Sequence, residues 1–130
     1  MNRELVRQIW LRAASRCEYC RLPASLYPGP FVADHIIAKQ HGGATDLLNL
    51  ALCCLHCNAR KGPNIAGIDP LTGELTRLFH PGKDLWLEHF FWSGAEIVGS
   101  TAIGRTTIRV LDINEQVFLA VRAELHREGV

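Results

Sequence analysis

Apolar positions in the first fifteen residues recur with helical period: Leu5, Val6, Ile9, Trp10 and Ala13 fall on one face, and Arg3, Arg7 and Arg12 lie mostly elsewhere on the wheel. The spacing predicts an amphipathic helix over 3–15. Pro23, Pro28, Gly29 and Pro30 then break the chain, and residues 31–37 have the β-branched character of a strand. After a turn at Gly42-Gly43, the apolar run at 47–52 reads as a second strand. Residues 55–61 read as a short helix stopped at Gly62-Pro63, since proline disfavours helical geometry in the residue before it. Further on, the turn cluster 69–74 predicts a hairpin between Ile68 and a strand at 75–79, and Ser93-Gly94-Ala95 predicts another between 87–92 and 96–100. Thr101 and Asn114 are the expected N-caps of two closing helices, 102–111 and 115–127. These elements predict an α+β fold whose early part runs strand, strand, helix.

A length of 130 residues with 48% hydrophobic content fits one domain with an adequate core. The expected division is a core with its leading helix at 1–62 and an extension at 63–130. No stretch approaches the roughly 18 consecutive apolar residues of a membrane span, and Met1-Asn2-Arg3-Glu4-Leu5 lacks a signal-peptide pattern, so a cytoplasmic protein is expected. The net charge of +1 hides an asymmetry: residues 1–62 hold eight Lys/Arg against four Asp/Glu, and residues 63–130 hold six against nine. A polyanion would meet the first half, but an excess of that size does not by itself identify nucleic acid as a partner.

Five cysteines cannot all pair within the chain, and in a reducing compartment C-x-x-C spacing favours metal over disulfides. Cys17/Cys20 and Cys54/Cys57 offer two such pairs, enough thiolates for one tetrahedral, structural Zn²⁺. Cys53 and His56 are the competing ligands, and Cys53 is the expected spare. Between the pairs stands Asp34-His35, and directly behind the second stands Asn58. Hydrolysis of a phosphodiester needs a base to activate water and a cation to neutralise charge on the phosphoryl oxygens. Asp34 and Asn58 offer hard oxygen ligands for Mg²⁺ or Mn²⁺, and His35 offers the base. Neighbours in a regular strand point to opposite faces, so Asp34 and His35 can share a site only at a bulge or a strand end.

Cys17-Glu18-Tyr19-Cys20, Asp34-His35-Ile36-Ile37, Gly42-Gly43, Asn49-Leu50 and the run from Cys54 to Gly62 together resemble the HNH endonuclease family in its zinc-stapled, four-cysteine branch. The resemblance spans residues 16–62. It implies a ββα-metal core around one divalent cation and cleavage of DNA phosphodiester bonds. It also implies that His35 is the first letter and general base, that Asn49 is the middle letter bracing the loop that aims the histidine, and that Asn58 is a cation ligand beside Asp34. Asn58 stands where many relatives have histidine, a variant also found in the HNH domains of RNA-guided nucleases, and Ala38 stands where many have proline. Residues 68–92 resemble the tail of small stand-alone bacterial HNH proteins.

Lys39, Arg60 and Lys61 surround the expected cleft and are the candidates for phosphate contact with DNA. His41 is an alternative proton carrier in the loop, and the aromatic residues beside His89 could stack bases. The rival reading is a non-catalytic zinc module that binds nucleic acid or protein; it would not require Asp34, His35 and Asn58 together. A C-x-x-C oxidoreductase would need a thioredoxin-like order of elements that this chain lacks.

Overall fold

The structure, a computed structural model, describes residues 1–129. The chain is mixed α and β and divides into two units, one of Met1–Ile65 with His80–Asp84, the other of Ala66–Phe79 with the chain from Leu85 onward. No helix among the described residues is long and apolar enough to cross a membrane.

The first unit opens with α1 (Arg3–Ala13), where the Asn2 side chain caps the helix by accepting from the Glu4 amide at 2.7 Å. The helix stops two residues short of the expected end, because Ala14 and Ser15 take positive φ values of 53° and 57° and swing the chain toward Cys17. Ile9 and Ala13 on its apolar face pack against Leu50 and Leu52, with Leu5, Trp10, Phe31 and Ala33 around them. β1 (Val32–His35) pairs antiparallel with β2 (Leu50–Cys53), in a register that places Asp34 opposite Ala51 and His35 opposite Leu50. The strand expected over 47–52 begins only at Leu50. Residues 47–49 form a 3₁₀ turn capped by Asp46, whose carboxylate accepts from the Asn49 amide at 3.0 Å. All four residues of β2 are buried, so its uninterrupted apolar run carries no alternation from which the boundary could be read. α2 (Leu55–Lys61) follows directly and packs on both strands. The segment 80–84 joins this unit through Gly82, where a Cβ would lie 2.0 Å from the Leu48 carbonyl oxygen.

In the second unit β3 (Ala66–Ile68) pairs with β4 (Leu75–Arg77) around the expected turn. Asp69 organises that turn: its carboxylate accepts from the Leu71 amide and the Thr72 hydroxyl, and takes a two-pronged ion pair from Arg105 at 2.9 and 3.0 Å. The strand expected at 87–92 is instead a short helix, α3 (Trp86–His89), followed by β5 (Phe90–Ser93), which pairs with β6 (Glu96–Gly99). α4 (Ala102–Leu111) is capped by Thr101 as expected and lies so close on β6 that a Cβ on Gly104 would stand 3.1 Å from the Gly99 Cα. α5 (Gln116–Arg127) takes its cap from Glu115, not from Asn114. The Asn114 side chain is committed elsewhere: its Oδ1 accepts from the Ile97 amide at 2.9 Å and its Nδ2 donates to the Ile97 carbonyl at 2.8 Å, the pairing a neighbouring strand would offer.

Candidate active site and metal cluster

The turn leading out of α1 presents Cys17 and Cys20, and Arg21, at φ 65°, lets its amide fold back onto the Cys17 carbonyl at 2.9 Å. Cys54 and Cys57 stand at the start of α2, where the Cys54 sulfur caps the helix by accepting from the Cys57 amide at 3.4 Å. The four sulfurs are buried and lie within 4.8 Å of one another, with Cys20 and Cys54 at 3.8 Å. Zinc–thiolate bonds of about 2.3 Å in a tetrahedron place sulfurs about 3.8 Å apart, so this set fits a structural zinc with no position left for substrate. Despite opposing burial, hydrogen bonds from Cys20, Cys54 and Cys57 hold the Cys17 thiol well below its usual range, and the same sharing with Cys17 pushes Cys20 and Cys57 well up. A cation satisfies all four sulfurs at once. Cys53 is outside the cluster; burial pushes its thiol up, and its sulfur donates to the Ala51 carbonyl at 3.5 Å. His56, the other competing ligand, is also outside it.

Glu18, inside the first cysteine loop, fastens the cluster to β2. Its amide donates to the Leu52 carbonyl and its carboxylate accepts from the Leu52 amide, both at 2.9 Å, and Arg12 of α1 grips the same carboxylate at 2.8 and 2.9 Å. Arg12 also donates to the Leu50 carbonyl at 2.6 Å. Neither role is visible in the sequence, where Glu18 fills one of the two unspecified positions of a C-x-x-C pair and Arg12 counts as a polar helix position.

Asp34, His35, Lys39 and Asn58 line one cavity of about 500 Å³. Asp34 and His35 both reach it because His35 is the last residue of β1, so the strand end resolves the alternation. Beyond it the backbone is held at consecutive residues. The Ile36 amide donates to the Asn49 carbonyl at 2.8 Å, and the Ile37 amide and carbonyl both bond the Asn49 side chain at 2.9 Å. Asn49 also donates to the Ala44 carbonyl at 2.8 Å, bracing both ends of the 37–44 loop. Gly43 must be glycine, because a Cβ would lie 1.7 Å from the Ile37 carbonyl oxygen.

Lys61, expected at the phosphate-contact face, is placed differently. Its side chain is 2% exposed, and its ammonium donates to the Ile36 carbonyl at 2.6 Å and the Gly62 carbonyl at 3.3 Å. It ties α2 to the end of β1 instead of facing solvent. Burial lowers its pKa from the ordinary lysine value, and the Asp34 charge opposes that shift. Lys39 is exposed at the cavity, whereas Arg60 is exposed on α2 outside the cavity lining, and His41 is exposed in the loop. Thr45, which sequence reasoning passed over, places its hydroxyl 2.8 Å from His35 Nε2. In the second unit His89 bonds the Thr101 hydroxyl at 2.8 Å and meets Phe79 edge-on, while Trp92 meets His126 edge-on under the Arg122 guanidinium.

Residues 17–64 match the family model described as HNH endonuclease, a span that contains the four-cysteine cluster and the cavity residues. No curated protein and no solved structure matches the chain.

Proposed function

We propose that the HNH endonuclease domain at residues 17–64 is a ββα-metal core and that the protein hydrolyses DNA phosphodiester bonds. In this reading residues 63–130 extend that core. What supports it is a single cavity that gathers a carboxylate and a histidine from the end of β1 with an amide from α2, in a unit that also holds a cysteine cluster suited to zinc. Asp34 and Asn58 supply oxygen donors of the kind that Mg²⁺ or Mn²⁺ prefers. Such a cation, when bound, neutralises charge building on the phosphoryl oxygens. His35 takes the proton of the attacking water, a task for which an imidazole nitrogen with a free lone pair is suited. Asn49 and Lys61 hold the backbone beyond His35 in place, and Lys39 at the cavity mouth contacts a DNA phosphate.

Incubation with supercoiled plasmid tests this. Nicked or linear product is expected with added Mg²⁺ or Mn²⁺ and none with EDTA. A protein that retards DNA yet leaves plasmid intact with every divalent cation would be a non-catalytic zinc module.

A further inference from the structure

The ring of His35 meets a hydroxyl ten residues along the chain: Nε2 lies 2.8 Å from Thr45 Oγ1, a normal hydrogen-bond length. Thr45 is exposed, but its backbone is held on both sides. The preceding carbonyl, of Ala44, accepts from Asn49 Nδ2 at 2.8 Å, and the following side chain, of Asp46, accepts from the Asn49 amide at 3.0 Å. Gly43 is pressed against the Ile37 carbonyl with no room for a Cβ. The loop therefore delivers the hydroxyl to one place at the edge of the ring, and the side chain that shapes the loop, Asn49, is the one that holds the backbone just beyond His35.

We infer that Thr45 is a positioning residue for His35, its hydroxyl oxygen accepting from Nε2–H so that the ring plane is fixed and Nδ1 keeps its lone pair. The inference rests on the reading of His35 as the general base. A neutral imidazole has one N–H donor and one acceptor nitrogen, so a bond that fixes the proton on Nε2 also decides where the water's proton goes. When Nδ1 takes that proton the ring becomes cationic, and Nε2–H···Oγ1 becomes a charge-assisted bond, stronger than the neutral one before it. It thus favours the transition state over the ground state. The opposite arrangement, with the hydroxyl donating to Nε2, would put the ring proton on Nδ1 and leave neither nitrogen free to accept.

The test uses the full chain loaded with zinc only, with ring ¹⁵N NMR of His35 in the wild type, Thr45→Val and Thr45→Ser. The wild type and Thr45→Ser are expected to show an unprotonated Nδ1 and a resolved Nε2 proton; in Thr45→Val that proton should be lost to solvent exchange. A wild-type ring protonated on Nδ1, or an Nε2 proton equally protected in Thr45→Val, overturns the assignment. In parallel, plasmid cleavage by Thr45→Val should fall about tenfold in kcat, the size of one hydrogen bond to a charged group, with KM and zinc content unchanged. Thr45→Ser should recover most of it. Cleavage by Thr45→Val at the wild-type rate, or no recovery in Thr45→Ser, would also overturn the inference. A wild type that cleaves nothing would sink the nuclease reading, while the ring spectrum would still decide the hydroxyl-to-ring bond.

Discussion

Lys61→Met keeps a flexible apolar stem in the buried slot and removes the ammonium. In the wild type that ammonium donates to the Ile36 carbonyl at 2.6 Å and, more weakly, to Gly62 at 3.3 Å. Hydrogen bonds from a charged donor contribute about 1.5–3 kcal/mol each, and keeping an ammonium out of water works against that gain. The lowered pKa of Lys61 is a sign of this opposition. Taking the short bond at full strength, and letting the long one and the desolvation roughly cancel, the variant should lose about 2 kcal/mol. With a urea slope of about 2 kcal/mol/M, the unfolding midpoint should fall by about 1 M. The melt is best followed by zinc release to a chromophoric chelator, because the cysteine cluster belongs to the same unit as Lys61. DNA affinity measured across a range of salt gives the opposing reading its chance: a phosphate-contacting lysine would lower the slope of log K against log salt by about 1. An unchanged urea midpoint with a reduced salt slope would refute the buried-tether argument.

Elemental analysis should find one zinc per chain, lost in Cys54→Ser and kept in Cys53→Ser, since the Cys53 sulfur lies outside the cluster and bonds the Ala51 carbonyl; the reverse pattern would reassign the ligands. Asn49→Ala removes three side-chain hydrogen bonds to Ile37 and Ala44, about 3 kcal/mol at roughly 1 each, and should both lower stability and slow cleavage; wild-type behaviour in both assays would deny the loop-bracing role. Arg105 holds the Asp69 carboxyl well below the usual carboxylate range. A depressed folded-state pKa contributes stability that is present above the unfolded value, about 3.9, and is lost as pH falls through the folded one. The second unit should therefore lose melting temperature progressively below about pH 4, more steeply than in Asp69→Asn; parallel curves would show that this carboxylate is not responsible.

The sequence was most legible where local chemistry decided the outcome. Two C-x-x-C pairs were enough to mark the cluster, since thiolate geometry leaves few alternatives, and Thr101 caps its helix because its hydroxyl accepts from the Gly104 amide three residues on while still bonding the His89 ring. It was least legible where a polar side chain had two possible partners. Asn114 has the right residue type for a cap but bonds β6, and Lys61 has the charge of a phosphate ligand but serves the Ile36 carbonyl. Both choices are made by elements far along the chain. A strand end lets Asp34 and His35 share a cavity, one of the two geometries open to neighbours in a strand, and only the course of residues 36–37, set by Asn49 and Lys61, distinguishes them. Thr45 gave no signal at all, because a threonine beside Gly42-Gly43 reads as turn composition and its contact with His35 spans ten residues.

In the proposed reaction His35 is the base of a cation-assisted hydrolysis of DNA. The most direct measurement is single-turnover plasmid cleavage by wild type and His35→Ala in Mg²⁺ or Mn²⁺, at equal zinc content and equal DNA occupancy. A fall of at least about 100-fold in the rate constant is predicted, within the range for losing a general base. A variant that cuts as fast as the wild type would show that His35 is not the base.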